Sequence, residues 1–323
     1  MDHNVVDSEV KRIVDDLDEL WPSGDVPQQL YHYTDSKGLM GILESKRLWA
    51  TDITYLNDSM ELKYAFEIIR SVIGTKIAEG PVELKTFLED VKLYVNLNSA
   101  STTAYVTCFC EDGNLLSQWR AYANHGAGYS IGIEAKALVG IEYEGPGRLI
   151  TETLLRRVLY DRATQEQLVK NTIDRFCSLF QDVLKSTQDE TQSINLVANP
   201  LSRQLWQHLY YFKNAAFSEE REWRIITVVD VNAPWVELEG LKFRASNTTI
   251  IPYIERRLDV PSSILFQRNH VIWSITLGPT LHPKLTERAL CAYLDVTLGK
   301  ANGVYLTQSG ISIRLDNKYY DPS

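Results

Sequence analysis

Most of the signatures that announce a known chemistry are missing from this chain. Cysteine is scarce: Cys108, Cys110, Cys177 and Cys291 are the only 4, and no spacing among them makes a Cys-x-x-Cys knuckle or a disulfide framework. Reduced thiols and a cytoplasmic protein are therefore expected. The 6 histidines contain no His-x-x-x-His and no His-Glu-x-x-His, so no metal site is expected. A Gly-x-Ser-x-Gly elbow, a Walker loop and the kinase signatures are absent too. No stretch approaches about 18 uninterrupted apolar residues, and Met1 to Arg12 is polar and acidic, so neither a membrane span nor a secretory leader is expected. Positive charge is also short, with 33 Lys and Arg against 42 Asp and Glu, a net charge of -9 and a pI near 5.3. Such a field repels polyanions and anionic membranes unless a local basic patch overrides it, which favours a small or protein substrate.

What remains is ample for a core: 44% of the 323 residues are hydrophobic and 23% are charged. Val10, Ile13, Val14, Leu17 and Leu20 recur at helical spacing before the turn "WPSGDVP". Strand-like "QLYHYTD", helical "SKGLMGILESKRL" and a further helix burying Tyr64, Ala65, Ile68, Ile69 and Val72 follow. "AYVTCFC" and "GYSIGIEAKAL" read as strands around a short helix carrying Leu115, Leu116, Trp119 and Tyr122 on one side. From Gln165 to about Phe212 the chain reads as two helices with a break at "DETQSINLVANP". Strands return at "EWRIITVV", "WVELEG", "TTIIPYIE", "VIWSITLG" and near "VYLTQSGISIR", with one helix at "PKLTERALCAYLD". This is an α+β pattern: an N-terminal helix and linker over 1–29, then one domain over 30–323 with a helical insertion at about 164–214.

Four stretches could carry chemistry. In "SEEREWRII", strand alternation puts Glu220, Glu222 and Arg224 on one face and Arg221, Trp223 and Ile225 on the other. Two carboxylates so close raise each other's pKa unless a cation compensates, so the pair is either a solvated strand edge or a site. In "YHYT", His32 and Thr34 face one way, able to meet a ribose hydroxyl, while Tyr31 and Tyr33 offer flat surfaces on the other; a satisfied structural histidine is the plainer alternative. "LNDSMEL" spaces Asp58 and Glu61 as a capping box, which explains both as a helix start and leaves Asn57 without a structural job, open to a ligand. The glycines at 126, 128 and 132 precede a strand instead of joining a strand to a helix, so they do not make a dinucleotide-binding fingerprint.

The ordered set "LYHYTDSKGLMGILESKRLWATDITYLNDSMEL", "CFCEDGNLLSQWRAYANHGAGYSIGI", "YYFKNAAFSEEREWRII" and "ITLGPT" resembles an uncharacterised bacterial protein family. Its hallmarks are Tyr-His-Tyr-Thr, Leu-Asn-Asp-x-x-Glu, Trp-x-x-Tyr, and Phe-Lys with Glu-x-Glu-Trp-Arg. That family looks related to the ADP-ribosyltransferase fold, a split β-sheet core with flanking helices, whose members include toxins and anti-phage effectors. The resemblance implies NAD as substrate. His32, with Tyr33 and Thr34 beside it, would occupy the first-strand slot that holds the ribose or the nicotinamide side, and Tyr129 and Ser130 would line the nicotinamide pocket. Glu222 would contact the nicotinamide ribose, and Glu220 would orient the acceptor. A histidine-first strand combined with a Glu-x-Glu end, and no clear Ser-Thr-Ser strand, leave the acceptor open among protein, nucleic acid and water. An antitoxin or sensor partner is a further expectation. Two other readings stand beside it: a metal-dependent nuclease with Asp58, Glu61, Glu220 and Glu222 around Mg²⁺, and a non-catalytic nucleotide-sensing module.

Overall fold

A computed structural model describes residues 3–22, 24–56, 60–123, 127–138, 148–149, 154–230, 240–246, 249–258, 270–300 and 302–311. Its strands are β1 (Gln29–Thr34), β2 (Arg47–Asp52), β3 (Thr102–Cys110), β4 (Tyr129–Glu134), β5 (Arg148–Leu149), β6 (Leu154–Arg157), β7 (Glu222–Asp230), β8 (Lys242–Ala245), β9 (Ile250–Arg257), β10 (Ile272–Leu277) and β11 (Tyr305–Gln308). The helices are α1 (His3–Glu19), α2 (Ser36–Ser45), α3 (Glu61–Glu79), α4 (Lys85–Ser101), α5 (Leu116–Tyr122), α6 (Arg162–Thr187), α7 (Glu190–Leu209) and α8 (Pro283–Thr297). The α+β reading holds: these strands form one mixed sheet with helices against it. Asn57 and Asp58, His125, Gly126 and most of "WVELEG" lie outside the described residues.

β3 is the hub of the sheet. One of its edges pairs with β7 from Thr102↔Asp230 to Cys110↔Glu222. The other edge is divided: β1 meets it at Tyr31↔Cys110, while β2 meets it at Thr51↔Val106 and Asp52↔Tyr105. The sheet therefore forks, one branch running β1-β4-β10-β11 and the other β2-β9-β8. Between the two branches the Cys108 carbonyl is bonded by the His32 ring, whose Nδ1 lies 3.0 Å away. That bond ties the His32 ring to the β3 backbone, which gives His32 a structural job.

Helices cover both faces. Alternation along β7 sends Ile226 and Val228 into the larger core with α1, α3, α4, α6 and α7, and Trp223 and Ile225 into a second core with α2 and α8. Phe87 of α4 stacks on Phe180 of α6 with ring centroids 4.2 Å apart, and Trp206 of α7 donates to the Val95 carbonyl at 2.8 Å. The helical stretch expected near 164–214 is thus α6 and α7, but the break is confined to the start of the stretch expected for it. α6 ends at Gln188 in the left-handed region (φ 55), and Asp189 caps α7 by accepting from the Gln192 N–H. Pro200 sits within α7. Tertiary packing of Val197, Ala198 and Leu201, all buried, carries the helix through a residue that would ordinarily interrupt it.

Candidate functional site

The site forms where α7 returns to β7. Lys213 follows the end of α7, and the Gln165 side chain fixes the local backbone by donating to the Leu159 and Lys213 carbonyls at 2.6 and 3.0 Å. A 3₁₀ turn over Ala215–Glu220 follows, with Asn214 accepting from the Ala216 N–H at its start. Arg221 then takes a left-handed conformation (φ 43), and β7 begins at Glu222. Glu220 therefore does not belong to the strand, as alternation through "SEEREW" had implied. Turn geometry, not strand period, brings the two glutamates to the same cation.

That cation is Lys213, whose Nζ donates to Glu220 at 2.6 Å and to Glu222 at 3.0 Å, with Glu61 at 3.7 Å. Arg224 grips Glu222 with both ends of its fork, Nε to Oε1 at 2.8 Å and Nη2 to Oε2 at 3.0 Å. Its Nη1 donates to the Tyr210 carbonyl at 2.7 Å and to Glu61. The Tyr160 hydroxyl accepts the Glu222 N–H at 3.0 Å. Three carboxylates thus close around two cations, and Arg224 is among the least exposed large side chains described, at 1%. Buried charges persist only when paired and hydrogen-bonded to this degree.

The environment separates the two glutamates. Burial alone would raise Glu222, but Arg224 and Lys213 override it and bring its carboxyl down to about 2. Glu220 is pushed up from the usual carboxylate value by burial, against the pull of Lys213 and with the repulsion of Glu222. It is also the more open: 16% of its side chain is exposed against 9% for Glu222. Burial and then Glu222 raise the Cys108 thiol, and burial raises the Tyr122 and Tyr160 hydroxyls, so these groups stay protonated around the cluster.

The other expected residues divide across the sheet. Register aligns Tyr31, Cys110 and Glu222, and pairs Tyr33 with Ser130, so Tyr33 and Ser130 share the Glu222 face. Tyr33 packs there with Cys110 and Trp119 of α5, and its hydroxyl donates to the Asp112 carbonyl at 2.8 Å and accepts from the Leu115 N–H at 2.8 Å. His32, Thr34 and Tyr129 face the other way, the His32 ring lying 5.9 Å from Phe109 in the α2 and α8 core. The capping box expected of Asp58 and Glu61 has its first residue outside the described residues. Glu61 is the first residue of α3, the Met60 side chain before it makes no capping bond, and the Glu61 carboxylate turns to Arg224. Lys213 was visible only as the lysine of Phe-Lys, because nothing local shows that a residue nine positions before Glu222 will meet it.

These features define an α+β protein of forked sheet with a buried ion cluster at the start of one strand. Residues 118–225 match a family model described as a protein of unknown function, DUF2971. The matched stretch runs from α5 into β7 and carries Lys213, Glu220, Glu222 and Arg224, while Glu61 and His32 lie before it. No curated protein matches the chain, and no solved structure matches it. Among the described residues no helix is long and apolar enough to cross a membrane.

Proposed function

We propose that this chain consumes NAD, as an ADP-ribosyltransferase or an NAD glycohydrolase, with Glu220 and Glu222 as its working carboxylates. The observation that carries this reading is a pair of carboxylates that share Lys213 in unequal surroundings. Glu222 is held at both oxygens by Arg224, while among the described residues the Glu220 carboxylate is bonded to the lysine alone and is the more open, so Glu222 is lowered and Glu220 raised from the usual value. Groups pushed apart in this way suit a fixed anion and a proton acceptor. The choice of NAD comes from the resemblance to ADP-ribosyltransferases.

In this mechanism the glycosidic C–N bond breaks and its electron pair leaves with nicotinamide. The ribosyl carbon becomes an oxocarbenium, and Glu222, permanently ionised and held by Arg224, stabilises charge that exists only near the transition state. The oxygen of the acceptor, or of water, bonds to that carbon and passes its proton to Glu220. Tyr33 and Ser130 lie on the same face of the sheet. A toxin or defence role in the cytoplasm, an acceptor of protein or nucleic acid, and an antitoxin or sensor partner belong to the same reading. The nuclease alternative is less favoured, because Glu61, Glu220 and Glu222 are turned onto Lys213 and Arg224, which stand where Mg²⁺ would.

The test is nicotinamide release from NAD by the purified chain, with and without chelator. Release should be indifferent to chelator and fall about 10²-fold or more in Glu220→Gln, the variant of the less buried carboxylate. Undiminished release in that variant would remove Glu220 from the mechanism. Activity on nucleic acid that is lost in chelator would favour the nuclease, and NAD binding without release the sensing module.

A further inference from the structure

The β2-β9-β8 branch carries a second group of chemical side chains. Trp49 of β2 is 42% exposed, and its ring lies 4.5 Å from that of Tyr253 on β9. Arg244 of β8 sits with its guanidinium 5.9 Å from the Trp49 ring centre and donates through Nη2 to Thr51 Oγ1 at 3.1 Å. Register explains the grouping: Lys242, Tyr253 and Thr51 lie side by side, and Arg244 and Trp49 flank them on the same face.

The cations of this branch are treated unequally. Lys242 and Arg47 both close on Glu255, at 2.9 and 3.7 Å. Arg244 is half-buried, its Nε is shut off from solvent, and among the described residues that atom has no hydrogen-bond partner and no carboxylate pairs with the side chain. A guanidinium partly withdrawn from water, with no counter-charge among the described residues, favours an anion, and burial pulls its pKa down. The planar fork of arginine matches phosphate, and an exposed indole backed by a second ring offers a flat face to a base. Among the described residues Arg244 lacks a counter-charge, and the open surface beside it, at Trp49, is aromatic.

We propose that Arg244, Thr51, Trp49 and Tyr253 form a binding site for a nucleoside phosphate, with the phosphate on Arg244 and the base on Trp49. Register puts Thr51 and Trp49 on the same face of the sheet as Glu222, and among the described residues no hydrogen bond or ion pair joins the site to Glu220 or Glu222.

Calorimetric titration with ADP, adenosine and pyrophosphate tests it. The chain should bind ADP more tightly than adenosine. Arg244→Ala should weaken ADP at least tenfold and leave adenosine unchanged, while Trp49→Ala should weaken ADP and adenosine and leave pyrophosphate unchanged. Thermal unfolding confirms that the variants fold, and Arg244→Gln, which can still donate to Thr51, serves if the alanine variant does not. No ADP binding by the parent chain, or equal binding by Arg244→Ala or Arg244→Gln, overturns the proposal. Unchanged ADP affinity in Trp49→Ala overturns the base contact. Glu220→Gln should bind ADP as the parent does, so a chain that binds ADP in this way but releases no nicotinamide refutes the reaction and supports the site.

Discussion

Arg224 holds two carboxylates and a carbonyl from a position with almost no solvent. Replacing it with methionine keeps the volume and leaves Glu61 and Glu222 facing each other with only Lys213 between them. Arg224→Met should cost about 3–5 kcal/mol, read from urea unfolding, because one partner of a buried charged set is removed and the rest stay. Acid should act on the same set. The Glu222 carboxyl titrates near 4.5 when unfolded and near 2 when folded, so the stability it contributes is full above the first value and is lost as pH falls through the second. Denaturant midpoints measured between pH 5 and pH 2 should decline across that window, and Glu222→Gln should flatten the decline. At this scale the sequence was half readable. Glu220, Glu222 and Arg224 were legible as a charged group at a strand start, since they are neighbours in the chain. Glu61 and Lys213 were not, because their pairing is made by tertiary folding, and for Glu61 a local rule offered a sufficient explanation of its own.

Elements show the same division between local and distant causes. The strand, helix and core faces that alternate regularly were readable: Trp223 and Ile225 are buried against α2 and α8 as the period of two requires. The start of β7 was not, since a residue in the left-handed region resets the alternation and arginine gives no warning of it. Among the described residues the Arg221 side chain makes an exposed ion pair with Asp112 at 3.1 Å and no other, so it contributes little. Arg221→Gly should therefore be neutral or stabilising by up to about 1 kcal/mol, whereas Arg221→Val, β-branched at positive φ, should cost about 1–2 kcal/mol more in the same thermal or urea measurement. Equal stability of the two variants would mean that the turn relaxes. The helix break was drawn too long for the complementary reason. Pro200 is a strong local signal, yet Ile194, Val197, Leu201 and Leu205 pack around it deeply enough to keep α7 continuous.

Across the whole molecule the α+β class followed from the mixture of periods, while the fork could not be read, because strand order depends on which edges meet. β3 and β7 are joined by nine residue pairs, whereas β2 is joined to β3 by two. Backbone amides along β3 and β7 should accordingly exchange with deuterium only on global unfolding, and those linking β2 to β3 should exchange sooner through a partial opening. Comparable protection of both would show that the branches open together. The unequal seams have a mechanical meaning. A pull that separated β2 from β3 would strip away the three-strand branch bearing Trp49 and Arg244 before it disturbed the lysine and arginine that hold Glu222. The chain thus has a tear line, and its two groups of chemical side chains lie on opposite sides of it.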